Sequence, residues 1–260
     1  MRKVAGSIIA PVLVCQLVLW LLWSSKGATE NPDHLRQLLI SKECINCDLQ
    51  GAILQGAELA GALLERANLQ AANLREAILT NSDLRTADLS NADLREAALT
   101  QADFTEAILL ESRLSGASLT QATFLRANLQ GAELDQAIAP EATFNGADLT
   151  AANLTEISLI RANLGRAKLI SANLQRADLF AAFLVRADLT NANLSGAYLT
   201  NARLIRSTLD GADLTDADLS NARLDDSTFE GSIFCRTIMP DRSQNNQNCS
   251  ESGDEMSLIR

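Results

Sequence analysis

The chain has 260 residues, a formal charge of −10 and 47 % hydrophobic letters, yet only 4 % aromatics. So few aromatics argue against an ordinary layered globule and for a periodic architecture with an interior of Ala and Leu. The acidic balance argues against a general affinity for nucleic acid.

The N-terminal stretch MRKVAGSIIAPVLVCQLVLWLLWSSKG opens on Arg2 and Lys3 and continues as an apolar run from Val4 to Trp23. It reads as a secretory signal with Ser25-Lys26-Gly27 as a tolerable cleavage site. The run 4–23 is also long enough for an uncleaved membrane anchor, although Pro11 and Gln16 weaken a spanning helix. Cys15 is a poor lipid-attachment site, because bulky Val14 precedes it and the apolar run continues beyond it. Residues 1–28 are therefore expected to be a signal peptide or membrane anchor, and the body of the protein to be exported.

Residues 29–47 come next. NPDHLRQLLISKE (31–43) predicts a short helix with Asn31 as N-cap, Pro32 at the first helical position and Asp33 in the first turn. Leu35, Leu38 and Leu39 form a stripe able to cover whatever follows. The only histidine, His34, reads as a surface residue of that helix. Cys44-Ile45-Asn46-Cys47 leaves three readings open: a structural disulfide or buried thiols, a redox pair, or part of a metal site. The metal reading is poor in ligands, since two thiols and one His do not complete a zinc site.

From Leu49 to Phe234 a Leu or Phe stands at every fifth position through 38 uninterrupted pentads, broken only by Ala139. Two residues before each comes a small residue, usually Ala. The unit A-(N/D)-L-x-x is plain in ADLSNADLREAALT (87–100) and ANLSGAYLTNARL (192–204). A period of five suits neither a helix nor an indefinite flat strand. Within one unit, however, the small residue and the Leu lie two apart and share a side of an extended segment. If the last two residues turn the chain, repetition winds it into a solenoid with Ala and Leu inside.

This repeat resembles the pentapeptide-repeat family. The resemblance implies an all-β fold: a right-handed quadrilateral β-helix (a pentapeptide-repeat solenoid) of about nine to ten coils, twenty residues per coil, with a short N-terminal capping helix. Phe104, Phe124 and Phe144 are spaced by twenty and would stack in one column of such a winding. The β-helix is expected over 48–234, with Ala139 giving room to Phe144 and Pro140 falling in the next corner. LLISKECINCDLQGA (38–52) and FCRTIMPDRSQNNQNC (234–249) resemble the lead-in and closing segments of exported members from photosynthetic bacteria. In that setting Cys44 with Cys47 and Cys235 with Cys249 are expected as disulfides. Residues 235–249 would form a C-terminal cap and 250–260 a disordered tail.

No pattern points to catalysis, a cofactor or a metal: there is no phosphate loop, dinucleotide fingerprint or nucleophile arrangement. Two function classes remain. One is a non-enzymatic scaffold in the periplasm or thylakoid lumen that holds a protein or an anionic envelope component, with membrane contact only through 4–23 if uncleaved. The other follows family members that imitate B-DNA and bind gyrase. Charge separates them: residues 49–156 carry net −9, 157–206 net +5 and 207–234 net −6, whereas a DNA mimic should be acidic along its length. Twenty-residue winding places Arg166, Arg186 and Arg206 in one outward column. Ile160, Phe180, Phe183, Val185 and Ile205 are expected to form an apolar patch beside it, a candidate binding surface for a partner or for a second copy of the chain.

Overall fold

The computed structural model describes residues 31–249. The expected signal or anchor (1–28) and the expected disordered tail (250–260) lie outside the described residues. Among the described residues no helix is long and apolar enough to cross a membrane.

One pentad, 72–76, shows how the sequence dictates the winding. The Ala72 N–H donates to Leu69 O, closing a turn within the coil, while the Asn73 N–H donates to Ala52 O, one coil back. The Leu74 N–H donates to Asp93 O and the Glu76 N–H to Arg95 O, both one coil forward. The remaining donor, Arg75 N–H, finds the Asn73 side-chain Oδ1 at 3.2 Å. All five N–H groups thus have acceptors, as an interior-lining chain requires. The preference for Asn or Asp before the Leu follows: its side chain takes the one donor that the ladder leaves over, an Asx turn. The same bond recurs at Asp88–Ser90, Asn153–Thr155 and Asp188–Thr190, among others.

Repetition of this scheme pairs residue i with residue i + 20 in parallel, from Glu43↔Leu63 to Asp218↔Ile238. The result is a four-sided β-helix of about ten coils, roughly 45 Å long at the ~4.8 Å spacing of paired strands. The last residue of each pentad turns the corner in the left-handed region, as the third position of a type II turn demands. Mostly non-glycine residues sit there, with φ near +57°. Pro140 and Pro240 occupy the position whose N–H the ladder never uses, and their carbonyls still accept from Gln121 and Asn221.

The core is a set of vertical columns of Leu and Ala, nearly all fully buried. Phe104, Phe124 and Phe144 stack with ring centroids 4.8 Å apart and planes within 2°. Ala139, in the slot otherwise held by Leu or Phe, is fully buried.

Both ends are closed differently. Helix α1 (Pro32–Ser41) begins at Asn31, whose side chain accepts from the Asp33 N–H, and ends at Lys42 in the left-handed region. Leu35 and Leu38 are buried against the first coil, but Leu39 is 40 % exposed, so the covering stripe is one residue narrower than expected. His34 corrects a second expectation. It is half-buried, and its Nδ1 accepts the Asp48 N–H at 2.9 Å, joining the helix to the first coil. Cys44 and Cys47 are disulfide-bonded and buried. At the far end, β1 (Phe234–Ile238) and β2 (Gln244–Gln247) pair antiparallel and Cys235 is bonded to Cys249.

Many of the Asx carboxylates are held ionised. Burial pushes the Asp88 carboxyl up, but the Ser90 hydroxyl, the Ser90 N–H and the Gln70 amide outweigh it and bring it below its ordinary value of 3.8. Asp148 and Asp218 follow the same pattern, while at Asp83 and Asp93 the arginine two residues on is the largest influence. Carboxyls lowered in the folded state contribute stability that is complete above 3.8 and lost as pH falls through the folded values. The thermal midpoint should therefore be flat near neutral pH and drop steeply on acidification below about pH 4; a midpoint that rises there would contradict the Asx assignment. Phe124→Ala should cost about 3–5 kcal/mol in denaturant unfolding followed by circular dichroism, because it opens the middle of a three-ring stack.

Candidate functional site

Counter-ions locate the site. Of the fourteen Lys and Arg residues in 49–234, ten form an ion pair with a carboxylate. The four that do not, among the described residues, are Arg161, Arg166, Arg186 and Arg203. All four fall within the basic stretch 157–206, and all belong to one side of the rod and its two corners.

Stacking brings them together. Asn163, Phe183 and Arg203 are successive partners in one ladder column, and the Arg203 guanidinium lies 5.4 Å from the centroid of the Phe183 ring. At the corner that follows, the Arg166 N–H donates to Val185 O and the Arg186 N–H to Ile205 O. This sets Val185 beneath Ile205 and Arg166 beneath Arg186. A groove of about 630 Å³ runs over this surface, lined by Asn145, Arg161, Asn163 and Gly165 and by the column residues above them. Gly165 creates the depression. Its column neighbours are Asn145, Val185 and Ile205, and a Cβ at 165 would stand 2.8 Å from Asn145 Nδ2 and 3.2 Å from Asn163 Oδ1.

Six of the eight expected site residues line the groove: Phe183, Val185, Ile205, Arg166, Arg186 and Arg206. Ile160 and Phe180 do not. They stand at the preceding corner, one above the other through the Arg161 N–H to Phe180 O bond, and Arg161 and Ala181 intervene before the groove. Arg206 is at the groove but is neutralised by Asp226 at 3.3 Å. Arg161, by contrast, has no ion pair and lines the groove, and sequence reasoning did not single it out. Part of this was readable: Asp226 lies twenty residues after Arg206, hence directly above it. Arg161 was not readable that way, because Glu141 lies twenty residues before it yet is engaged by the Gln121 amide at 2.9 Å.

Phe183 and Arg203 also occupy the position that Asn or Asp holds in 17 of the 38 pentads. The N–H groups of Val185 and Ile205 consequently have no side-chain acceptor and no other partner among the described residues. Around the apolar surface of Phe183, Val185 and Ile205 the groove thus gathers guanidinium donors and two unused backbone donors. Such a surface can receive carboxylate or carbonyl oxygens. Among the described residues no cluster of His, Cys, Asp or Glu is arranged to hold a metal.

Comparison with known proteins bears on the whole rod. The family model "Pentapeptide repeats" matches in overlapping stretches, from 43–81 and 82–121 through 127–164 to 197–236. Among solved structures the chain is similar to HetL, described as a protein involved in heterocyst differentiation regulation in the cyanobacterium Nostoc sp. strain PCC 7120. Identity is 33 %, over 83 % of this chain and 99 % of that one, with a TM-score of 0.47. It is also similar to QnrB1, a plasmid-mediated fluoroquinolone resistance protein, at 20 % identity over 70 % of this chain and 91 % of that one, TM-score 0.41. A third is AT2G44920 from the Arabidopsis thaliana thylakoid lumen, at 23 % identity over 47 % and 65 %, TM-score 0.27. No curated protein matches the chain.

Phe183→Asn should restore an Asx acceptor for the Val185 N–H and continue the column of Asn163. Its thermal midpoint is expected to stay within about 4 °C of the parent. A larger fall would show that the ring supports the fold rather than the groove.

Proposed function

The chain belongs to the pentapeptide-repeat family, and from that premise we propose that it is a non-enzymatic, rigid interaction scaffold that holds a protein partner against the side around residues 160–206. The observation that carries this reading is the confinement of every uncompensated arginine of the repeat to one side and its corners. Solvent-facing slots of a solenoid tolerate any polar residue, and elsewhere on this rod each basic residue is matched by a carboxylate. Leaving four guanidiniums unmatched around exposed Phe183, in a chain of net charge −10, has a use only if something acidic arrives from outside.

Location belongs to the same proposal. The basic-then-apolar N-terminal run and two disulfides support an exported rod, in the periplasm or the thylakoid lumen, since disulfides persist outside the cytosol. The competing reading, an acidic DNA mimic that binds gyrase, draws on the net charge. A mimic of the duplex requires a continuous acidic surface, and the net +5 of residues 157–206 interrupts it.

Reversal of charge tests the scaffold. Arg161→Glu, Arg166→Glu and Arg186→Glu in one chain, compared with the parent by crosslinking in intact cells, should lose the main crosslinked species. Arg113→Glu, on the opposite side and paired with Glu133 at 3.1 Å, should retain it. An identical set of partners for the triple variant would overturn the assignment of this side, and cell fractionation would separate an exported rod from a cytosolic one.

A further inference from the structure

Resting on that reading of the groove, we infer that its occupant is an extended peptide segment of the partner, carrying acidic side chains that alternate with apolar ones. Four features of the molecule select this chemistry. The free guanidiniums of Arg161, Arg166 and Arg186 stand beside an apolar surface of Phe183, Val185 and Ile205. A small inorganic anion would satisfy the first set and leave the second exposed. An acidic-apolar peptide uses both, through charge-assisted bonds to carboxylates and burial of one or two side chains against Phe183.

The second feature is the extent of the basic band. Residues 157–206 amount to about two and a half coils, roughly 12 Å of the rod at ~4.8 Å per coil. Above and below lie segments of net −6 and −9. A long polyanion or an anionic membrane surface laid along the rod would meet these acidic flanks and be repelled. A short segment crossing the rod would not.

The backbone supplies the third. Val185 and Ile205 each present an N–H without an acceptor among the described residues, one coil apart, as do other pentads without Asn or Asp before the Leu, and here the two donors lie beside free guanidiniums. An extended peptide can offer its backbone carbonyls to these donors while its carboxylates engage the guanidiniums.

The last feature is Arg203. Its guanidinium, 5.4 Å from the Phe183 centroid, already covers part of one face of the ring. It holds the ring in place at the side of the groove and keeps its own charge next to the bound segment.

Fluorescence polarisation tests the inference on the full chain with three capped, labelled peptides: Glu-Phe-Asp-Leu-Glu, Glu-Gly-Asp-Gly-Glu and Lys-Phe-Lys-Leu-Lys. The first should bind, the second at least about tenfold more weakly and the third not at all; tenfold corresponds to about 1.4 kcal/mol. Phe183→Asn should weaken the first peptide towards the level of the second. Arg166→Glu with Arg186→Glu should abolish binding of both, and added salt should weaken it. Equal binding of the first two peptides would overturn the inference in favour of simple anion attraction. Binding of the first unchanged by Phe183→Asn would overturn it by placing the peptide elsewhere. If no peptide binds and Phe183→Asn alters the sedimentation of the protein, the groove belongs to a second copy of the chain and the inference fails. If no peptide binds while the crosslinked partner in cells still depends on Arg161, Arg166 and Arg186, the scaffold stands and only the peptide chemistry falls.

Discussion

The rod depends on one parallel pairing repeated along it, in which each residue stands beside its counterpart twenty positions on and the N–H groups donate to carbonyls nineteen positions on or twenty-one back. Parallel pairing fixes the spacing of the coils, and that spacing is the stacking distance of the three phenylalanines. It also fixes what can stand inside. Four short sides enclose an interior with room for Leu or Phe from one slot and, Cys47 and Ile157 apart, for Ala or Ser from the other. Ser82 and Ser112 enter the Ala slot without penalty because each hydroxyl donates to the carbonyl of the Leu three residues before it.

The ladder leaves one donor per pentad unserved, and in 17 of the 38 pentads the chain answers with Asn or Asp before the Leu. In the others the slot holds a different residue, among them Ile53, Thr123 and Tyr198. Phe183, Arg203 and Arg223 are successive positions in one column without the Asx bond, and the first two flank the groove.

Much of this was legible in the residues. The Leu and Ala slots, the winding of twenty and the start of α1 at Asn31 all follow from periodicity and capping chemistry, because each is a local or strictly periodic signal. The candidate patch was legible as a set of columns, since columns follow from the winding. Three things were not. The role of His34 depends on the helix folding back over Asp48, a contact across the cap that spacing does not encode. The exposure of Leu39 depends on the angle at which α1 meets the first coil. The set of free arginines depends on competition between neighbours, as where Gln121 engages the Glu141 that Arg161 would otherwise reach.

The unbroken five-residue turn at each corner has a consequence for how such a chain can change. Gain or loss of a whole coil leaves every later side facing the same way and only alters the height of the groove above the disulfide-closed base. Gain or loss of one pentad keeps the bonding scheme intact but rotates everything beyond it by a quarter turn. The half of the rod below the event would then present its columns out of phase with the half above. A groove assembled from residues 145–206 can move up or down the rod during divergence, but an odd pentad inserted within it would split its arginines from its aromatic ring while leaving the coils bonded as before.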